Sequence, residues 1–167
     1  ALCTDGASVL MVARDEQKLA EAAAGLQDSG LQATAMVADV TVEGAADDIV
    51  NGALGEFGRL DILVNNAGVF VWKGLFDLDY EDWDRTIATN LSAPFHLTRI
   101  AGKTMAGQGT GGSIVNIASI HAQVGDPNVI PHCASKFGLV GLTKATADAL
   151  REHEIRVNAI APGAIDP

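Results

Sequence analysis

The chain has 167 residues, 48% of them hydrophobic, which suits one ordinary globular domain or a large part of one and excludes a disordered chain. Lysine and arginine number 11 against 21 acids, and the formal charge of -10 repels a phosphate backbone and an anionic membrane surface alike, so neither nucleic acid nor membrane is an expected partner. Cys3 and Cys133 form no framework of spacings, nothing resembles a zinc cluster, and no apolar run reaches the length of a membrane span. No metal site is expected, and a reducing, cytoplasmic setting is the default.

The first residues, ALCTDGASVL, lack an initiating Met and read as the last turn of a helix, a stop, and then a strand. From there short apolar runs alternate with helical stretches. Strands are predicted over Ser8–Ala13, Ala33–Ala38, Leu60–Val64, Ser113–Ala118 and Ile155–Ala161. Helices are predicted over Glu16–Gln27, Glu43–Phe57, Tyr80–Ala106 and Pro131–His153. The final segment, IRVNAIAPGAIDP, reads as a strand and a Pro-Gly turn, where a compact domain seldom stops, so a longer protein is expected. Runs such as DILVN and SIVNIA are apolar on both faces, which suits a parallel sheet covered by helices on each side. The predicted fold class is a doubly wound α/β domain, single over residues 1–167, in which ligands bind beyond the carboxyl ends of the strands.

Those strand ends carry the candidate residues. After the first strand, Arg14 is placed to hold a 2′-phosphate, which favours NADP over NAD; the competing reading is a solvated Arg14 paired with an acid such as Asp15 at the start of the next helix. After the second, Asp39 could accept from an adenine amino group, or Asp39 or Thr41 could cap the following helix. After the third comes NNAG, Asn65–Gly68, where Gly68 lets backbone approach a ligand and the Asn side chains tie the strand end to its neighbours. After the fourth comes Ser119, able to donate to a carbonyl, with His121 two residues on. Gly107, Gly109 and Gly112 satisfy G-x-G-x-x-G, but they follow a helix and precede a strand, the reverse of the dinucleotide fingerprint, so they read as a plain loop. Finally, in VIPHCASKFGLVGL, Pro131 opens a helix that sets His132 and Lys136 one turn apart on a shared face.

The order and spacing of DILVNNAG, Thr89-Asn90, SIVNIAS, CASK and RVNAIAPG resemble the classical short-chain dehydrogenase/reductase family over essentially the whole chain. The resemblance implies a Rossmann-like sheet whose first strand and glycine-rich turn lie upstream of Ala1, and whose last elements lie downstream of Pro167. It implies hydride exchange between NADP, or NAD, and a small carbonyl or alcohol substrate. It implies catalytic roles for Asn90, Ser119 and Lys136, and cofactor contacts for Arg14, Asp39, Val40, Asn66, Ala67, Gly68, Lys136, Pro162 and Gly163. A homodimer or homotetramer through the two long helices is implied as well, and the apolar Phe137, Leu139, Val140 and Leu142 suit burial of the second helix on two sides. Residues 69–75 and 121–130 are expected to line part of the pocket, where Phe70, Trp72 and Val124 point to an apolar substrate.

The family's proton donor is a tyrosine four residues before the lysine, and here that position is His132. A phenol of pKa about 10 is drawn down by a neighbouring ammonium, whereas an imidazolium of pKa about 6.5 is disfavoured by it, leaving a neutral ring at neutral pH. Two functions follow as expectations: an oxidoreductase impaired at the proton step, in which His132 serves best as a base, or a catalytically silent homologue that binds a dinucleotide or a protein. A Cys133–His132 nucleophilic pair is disfavoured, because adjacent helical residues point about 100° apart.

Overall fold

The opening segment closes a helical turn as expected, with Gly6 N–H bonded to Cys3 O at 3.0 Å and Ala7 N–H to Leu2 O at 3.1 Å. The computed structural model describes residues 1–165 and divides into two compact units, Ala1–Arg59 and the chain from Leu60 onward. Asp166 and Pro167 lie outside the described residues.

In the first unit, β1 (Val9–Ala13) and β2 (Ala33–Val37) run parallel, with Val9 opposite Ala33. Asp15 ends β1's loop by capping α1 (Glu16–Asp28), its carboxylate accepting from Lys18 N–H at 3.0 Å. Small and branched apolar residues turn inward: Leu19 and Ala23 from α1, then Ala45, Ile49, Val50 and Ala53 from α2 (Ala45–Phe57). Helix α2 starts two residues later than expected and takes Gly44, not Asp39 or Thr41, as its N-cap.

In the second unit, β3 (Ile62–Asn65), β4 (Gly112–Ile117) and β5 (Ile155–Ile160) make a parallel sheet in that order. Register places Asn65 opposite Asn116. Asn65 Nδ2 donates to Asn116 Oδ1 at 2.8 Å, and Asn116 Nδ2 to Thr143 Oγ1 at 2.8 Å, so buried amides lock the strand tips to the following helix α5 (Ile130–Ala149). Ile62 and Val64 of β3 and Val37 of β2 are exposed, and among the described residues β1 pairs only with β2 and β3 only with β4.

The predicted helix Tyr80–Ala106 is three pieces: α3 (Tyr80–Ile87), a π-helical turn (Ala88–Ser92) and α4 (Ala93–Gln108). Pro94 explains the widening. It has no N–H to give the Asn90 carbonyl, and its ring crowds that carbonyl, so the turn opens and Ala93 N–H bonds back to Ala88 O. Of the Gly107–Gly112 stretch expected as a plain loop, only residues 109–111 form the connection: Gly107 lies in the last turn of α4, Gly109 at φ 68° closes that helix, and Gly112 opens β4. Helix α5 stops at Ala149 rather than continuing to His153; its last turn tightens into a 3₁₀ segment, Arg151–His153.

Candidate active site

Each catalytic candidate lies in the second unit, where strand ends and helix α5 meet. Asn90 sits on the widened π-turn, with its side chain directed at the loop after β3. It is fully buried: Oδ1 accepts from Val69 N–H at 2.8 Å, and Nδ2 donates to Val69 O at 2.9 Å and Ser135 Oγ at 3.2 Å. Ser135 in turn donates to the His132 carbonyl at 2.8 Å. One side chain therefore fixes the Gly68-Val69 backbone against the first turn of α5.

Lys136 is 6% exposed, and its Nζ donates to the Ile117 carbonyl at the end of β4, 2.6 Å away. Burial holds its pKa below the usual lysine value. Gly68 lies beside both groups: a Cβ there would stand 3.5 Å from Asn90 Oδ1, 3.9 Å from Asn66 O and 4.0 Å from Lys136 Nζ. Only glycine leaves this cradle open to a ligand.

His132, one turn before Lys136, is half-buried between two rings. Phe70 meets it at a centroid distance of 5.0 Å and 69°, and His121 at 5.6 Å and 85°. Burial first, then the Lys136 ammonium, push its pKa down; the Val69 backbone pulls weakly the other way without closing a hydrogen bond to Nδ1, and His121 adds to the depression. His132 Nδ1 is buried without a partner. Cys133 points elsewhere, its Sγ 3.9 Å from the Val124 carbonyl, which removes any paired nucleophile.

Ser119 caps the 3₁₀ turn Ile120–Ala122, its Oγ accepting from His121 N–H at 3.2 Å. Pro162 reaches the same turn, since its carbonyl accepts from Ile120 N–H at 2.8 Å. The loops flanking His132 are tied together as well: Lys73 N–H donates to Asn128 O at 2.9 Å, and the Lys73 ammonium is anchored on the buried Asp82 and on Asp79 at 3.5 Å. Phe70 and Trp72 stand in that wall, 6.1 Å apart and more than half exposed.

In the first unit, Arg14 pairs with Asp39 at 3.6 Å, while Asp15 is engaged by Lys18. The expected alternative partner of Arg14 was an acid at the helix start; the partner is instead the candidate at the end of β2. Asp39 also accepts from Thr41 N–H at 2.9 Å and Thr41 Oγ1 at 2.7 Å, and these bonds chiefly hold its carboxyl below the usual range, with Arg14 adding to them. Val40 is partly covered, and Ala67 and Gly163 are exposed at their strand ends. Ser135, which links Asn90 to His132, was missed in sequence reasoning; its position next to Lys136 was the only signal. Among the described residues no group of His, Cys, Asp and Glu could hold a metal ion, and no helix is long and apolar enough to cross a membrane.

Parallel strands whose carboxyl ends converge on an open glycine cradle, a buried lysine and an asparagine define the class as a Rossmann-like α/β protein. The chain belongs to the short-chain dehydrogenase family, whose model matches residues 1–167. An uncharacterized oxidoreductase of Thermotoga maritima is 37% identical over 162 residues, covering 97% of this chain and 63% of that protein. A gluconate 5-dehydrogenase from Burkholderia cenocepacia, solved in complex with NADP and tartrate, superposes with TM-score 0.92 at 29% identity over 99% of this chain and 65% of its own. An NAD⁺-bound xylitol dehydrogenase gives 0.94 at 32% identity over 99% and 64%. The chain thus spans less than two thirds of the length of these proteins.

Proposed function

We propose that the full-length protein is an NAD(P)-dependent oxidoreductase exchanging a hydride between nicotinamide and a small carbonyl or alcohol, with His132 at the proton-exchange position. One observation carries the reading: a partly buried ring one helical turn before a buried lysine, beside an asparagine and an open glycine cradle at parallel strand ends. Gly68 is exposed and presents no side chain, so a dinucleotide would approach its backbone, and Asn66, Ala67, Gly68, Lys136, Pro162 and Gly163 would hold it in this unit. In the first unit Arg14, Asp39 and Val40 are the proposed adenosine contacts, Arg14 favouring NADP by offering a guanidinium to a 2′-phosphate. When bound, the cofactor supplies the hydride acceptor or donor.

The chain's own residues divide the remaining work. Ser119 Oγ donates to the substrate oxygen, Asn90 holds the Gly68-Val69 backbone, and Lys136 places a positive charge near the reacting oxygen. His132, kept neutral, accepts the alcohol proton through Nε2, so oxidation suits it better than reduction, where a protonated ring would be required. Helix α4 and the end of α5 border a hollow of about 410 Å³, apolar at Phe95, Ala106, Ala149 and Leu150 and rimmed by Arg99 and Lys103; a homodimer or homotetramer through these helices is proposed from the family resemblance.

The histidine itself favours a second reading, a silent homologue that binds a dinucleotide without turnover. The test is a comparison of the native full-length protein with His132→Tyr for hydride transfer with NADPH and NADH across a carbonyl and alcohol panel. A faster tyrosine variant supports the placement of His132. Equal rates overturn it, and dinucleotide binding without turnover in both favours the silent reading.

A further inference from the structure

His132 is poorly built to keep a proton. The ring is half-buried and the Lys136 ammonium repels its cation from one turn away; to accept a proton at Nε2 the neutral ring already carries its hydrogen on the buried Nδ1, so that nitrogen takes no part in the exchange. A base that takes the alcohol proton in this surrounding must pass it on before the next turnover. Nε2 is the nitrogen left for that exchange.

The ring beside it is differently placed. His121 stands edge-on to His132 with centroids 5.6 Å apart, so the two imidazoles are direct neighbours. Its Nε2 lies 3.9 Å from Asp126 Oδ2, and its side chain, unlike the buried Nδ1 of its neighbour, keeps about a fifth of its surface in solvent. Asp126 is held in place for this contact, because its Oδ1 accepts from Asn128 N–H at 2.8 Å and Nδ2 at 3.4 Å. The same His121 donates its backbone N–H to Ser119 Oγ, which fixes the turn that carries its ring. The groups around the pair are thus Lys136 from α5, the Val69 backbone and Phe70 from the loop after β3, and Asp126 from the loop before α5.

We propose that His121, paired with Asp126, is the proton relay of this site, carrying the substrate proton from His132 to solvent. The proposal rests on the reading of His132 as the proton-exchanging ring. In alcohol oxidation the O–H bond breaks and its proton goes to His132 Nε2, while the carbinol C–H electron pair leaves as hydride to the oxidised nicotinamide. His132 then passes that proton to His121, whose Nε2 faces the Asp126 carboxylate at 3.9 Å, and His121 releases it to water. One alcohol is oxidised, one nicotinamide is reduced, and one proton is released.

The test uses the full-length protein with ring-labelled histidines and the alcohol it oxidises best. His121→Ala is expected to lower kcat for oxidation about tenfold with little change in KM, and added imidazole to restore it in proportion to its concentration. Independently of turnover, nuclear magnetic resonance should show the His132 titration moving up in His121→Gln. A His121→Ala rate unchanged, or lowered and unresponsive to imidazole, overturns the relay while leaving the role of His132 intact, provided His132→Ala abolishes oxidation. Unchanged oxidation in His132→Ala sinks the proposed function and the relay with it. Where the protein turns nothing over, the His132 titration decides, and an unmoved titration in His121→Gln refutes the proposal.

Discussion

Replacing Gly68 by alanine separates folding from cofactor binding at a single atom. The added methyl would meet Asn90 Oδ1 at 3.5 Å, Asn66 O at 3.9 Å and Lys136 Nζ at 4.0 Å, all ordinary contact distances, and the residue does not occupy the left-handed region. The folded protein can therefore accept the side chain, and the loss of unfolded-state freedom offsets any small crowding, so stability should change by less than about 1 kcal/mol. A ligand laid in the cradle has no such slack. Overpacking by one methyl costs about 1–3 kcal/mol, and converted at about 1.4 kcal/mol per factor of ten this raises the dinucleotide Kd roughly 5- to 150-fold. Urea unfolding and fluorescence titration with NADPH and NADH read the two quantities on the same sample. A Kd within twofold of native would mean that no dinucleotide lies at Gly68, and a stability loss above about 2 kcal/mol would mean that the local geometry is wrong.

Asn90→Ala removes three hydrogen bonds and leaves the Val69 N–H and C=O without partners, so unfolding should ease by about 2–4 kcal/mol; a shift below about 1 kcal/mol in urea would contradict the role given to this side chain. Gly112→Ala sets a methyl 2.5 Å from the Sδ of fully buried Met105, and a lowered melting temperature corresponding to about 1–3 kcal/mol is expected, against no change if the helix–strand contact is loose. His132 has a folded pKa below its unfolded value of about 6.5, so the unfolded chain binds the proton first and its contribution to stability is full above that pH and declines as pH falls below it. His132→Gln should accordingly lose less stability than the native chain between pH 7.5 and pH 5, and parallel urea midpoints at the two pH values would refute the depressed pKa.

The repeating units were legible because their signals are local. Apolar runs of strand length, Asp15 before α1 and Pro131 at the head of α5 each act within a turn of chain, and the observed elements begin or end within two residues of the expected ones in most cases. What the sequence hid depends on partners distant in the chain. Pro94 was visible, but its effect, a π-turn that aims Asn90 at Val69, requires knowing that the loop after β3 passes beside that turn. Arg14 and Asp39 stand at the ends of adjacent parallel strands 25 residues apart, so their ion pair follows from register rather than from either residue's neighbours. Ser135 carries no signal beyond its place beside Lys136, because its importance lies in bridging Asn90 to the His132 carbonyl.

The proposed exchange of tyrosine for histidine also reads differently once its surroundings are included. The lysine alone argues that the ring is neutral, which a single-residue comparison already implies. The buried, unpartnered Nδ1 adds that exchange is left to Nε2, and the neighbouring His121, 3.9 Å from Asp126, adds a second imidazole beside the ring. Nε2 is then the one nitrogen through which the ring takes a proton and gives it up, so in the proposed reaction His132 suits abstraction from an alcohol, and oxidation should fall off only as pH drops below the ordinary imidazole range; a rate already falling at or above pH about 6.5 would contradict the depressed pKa.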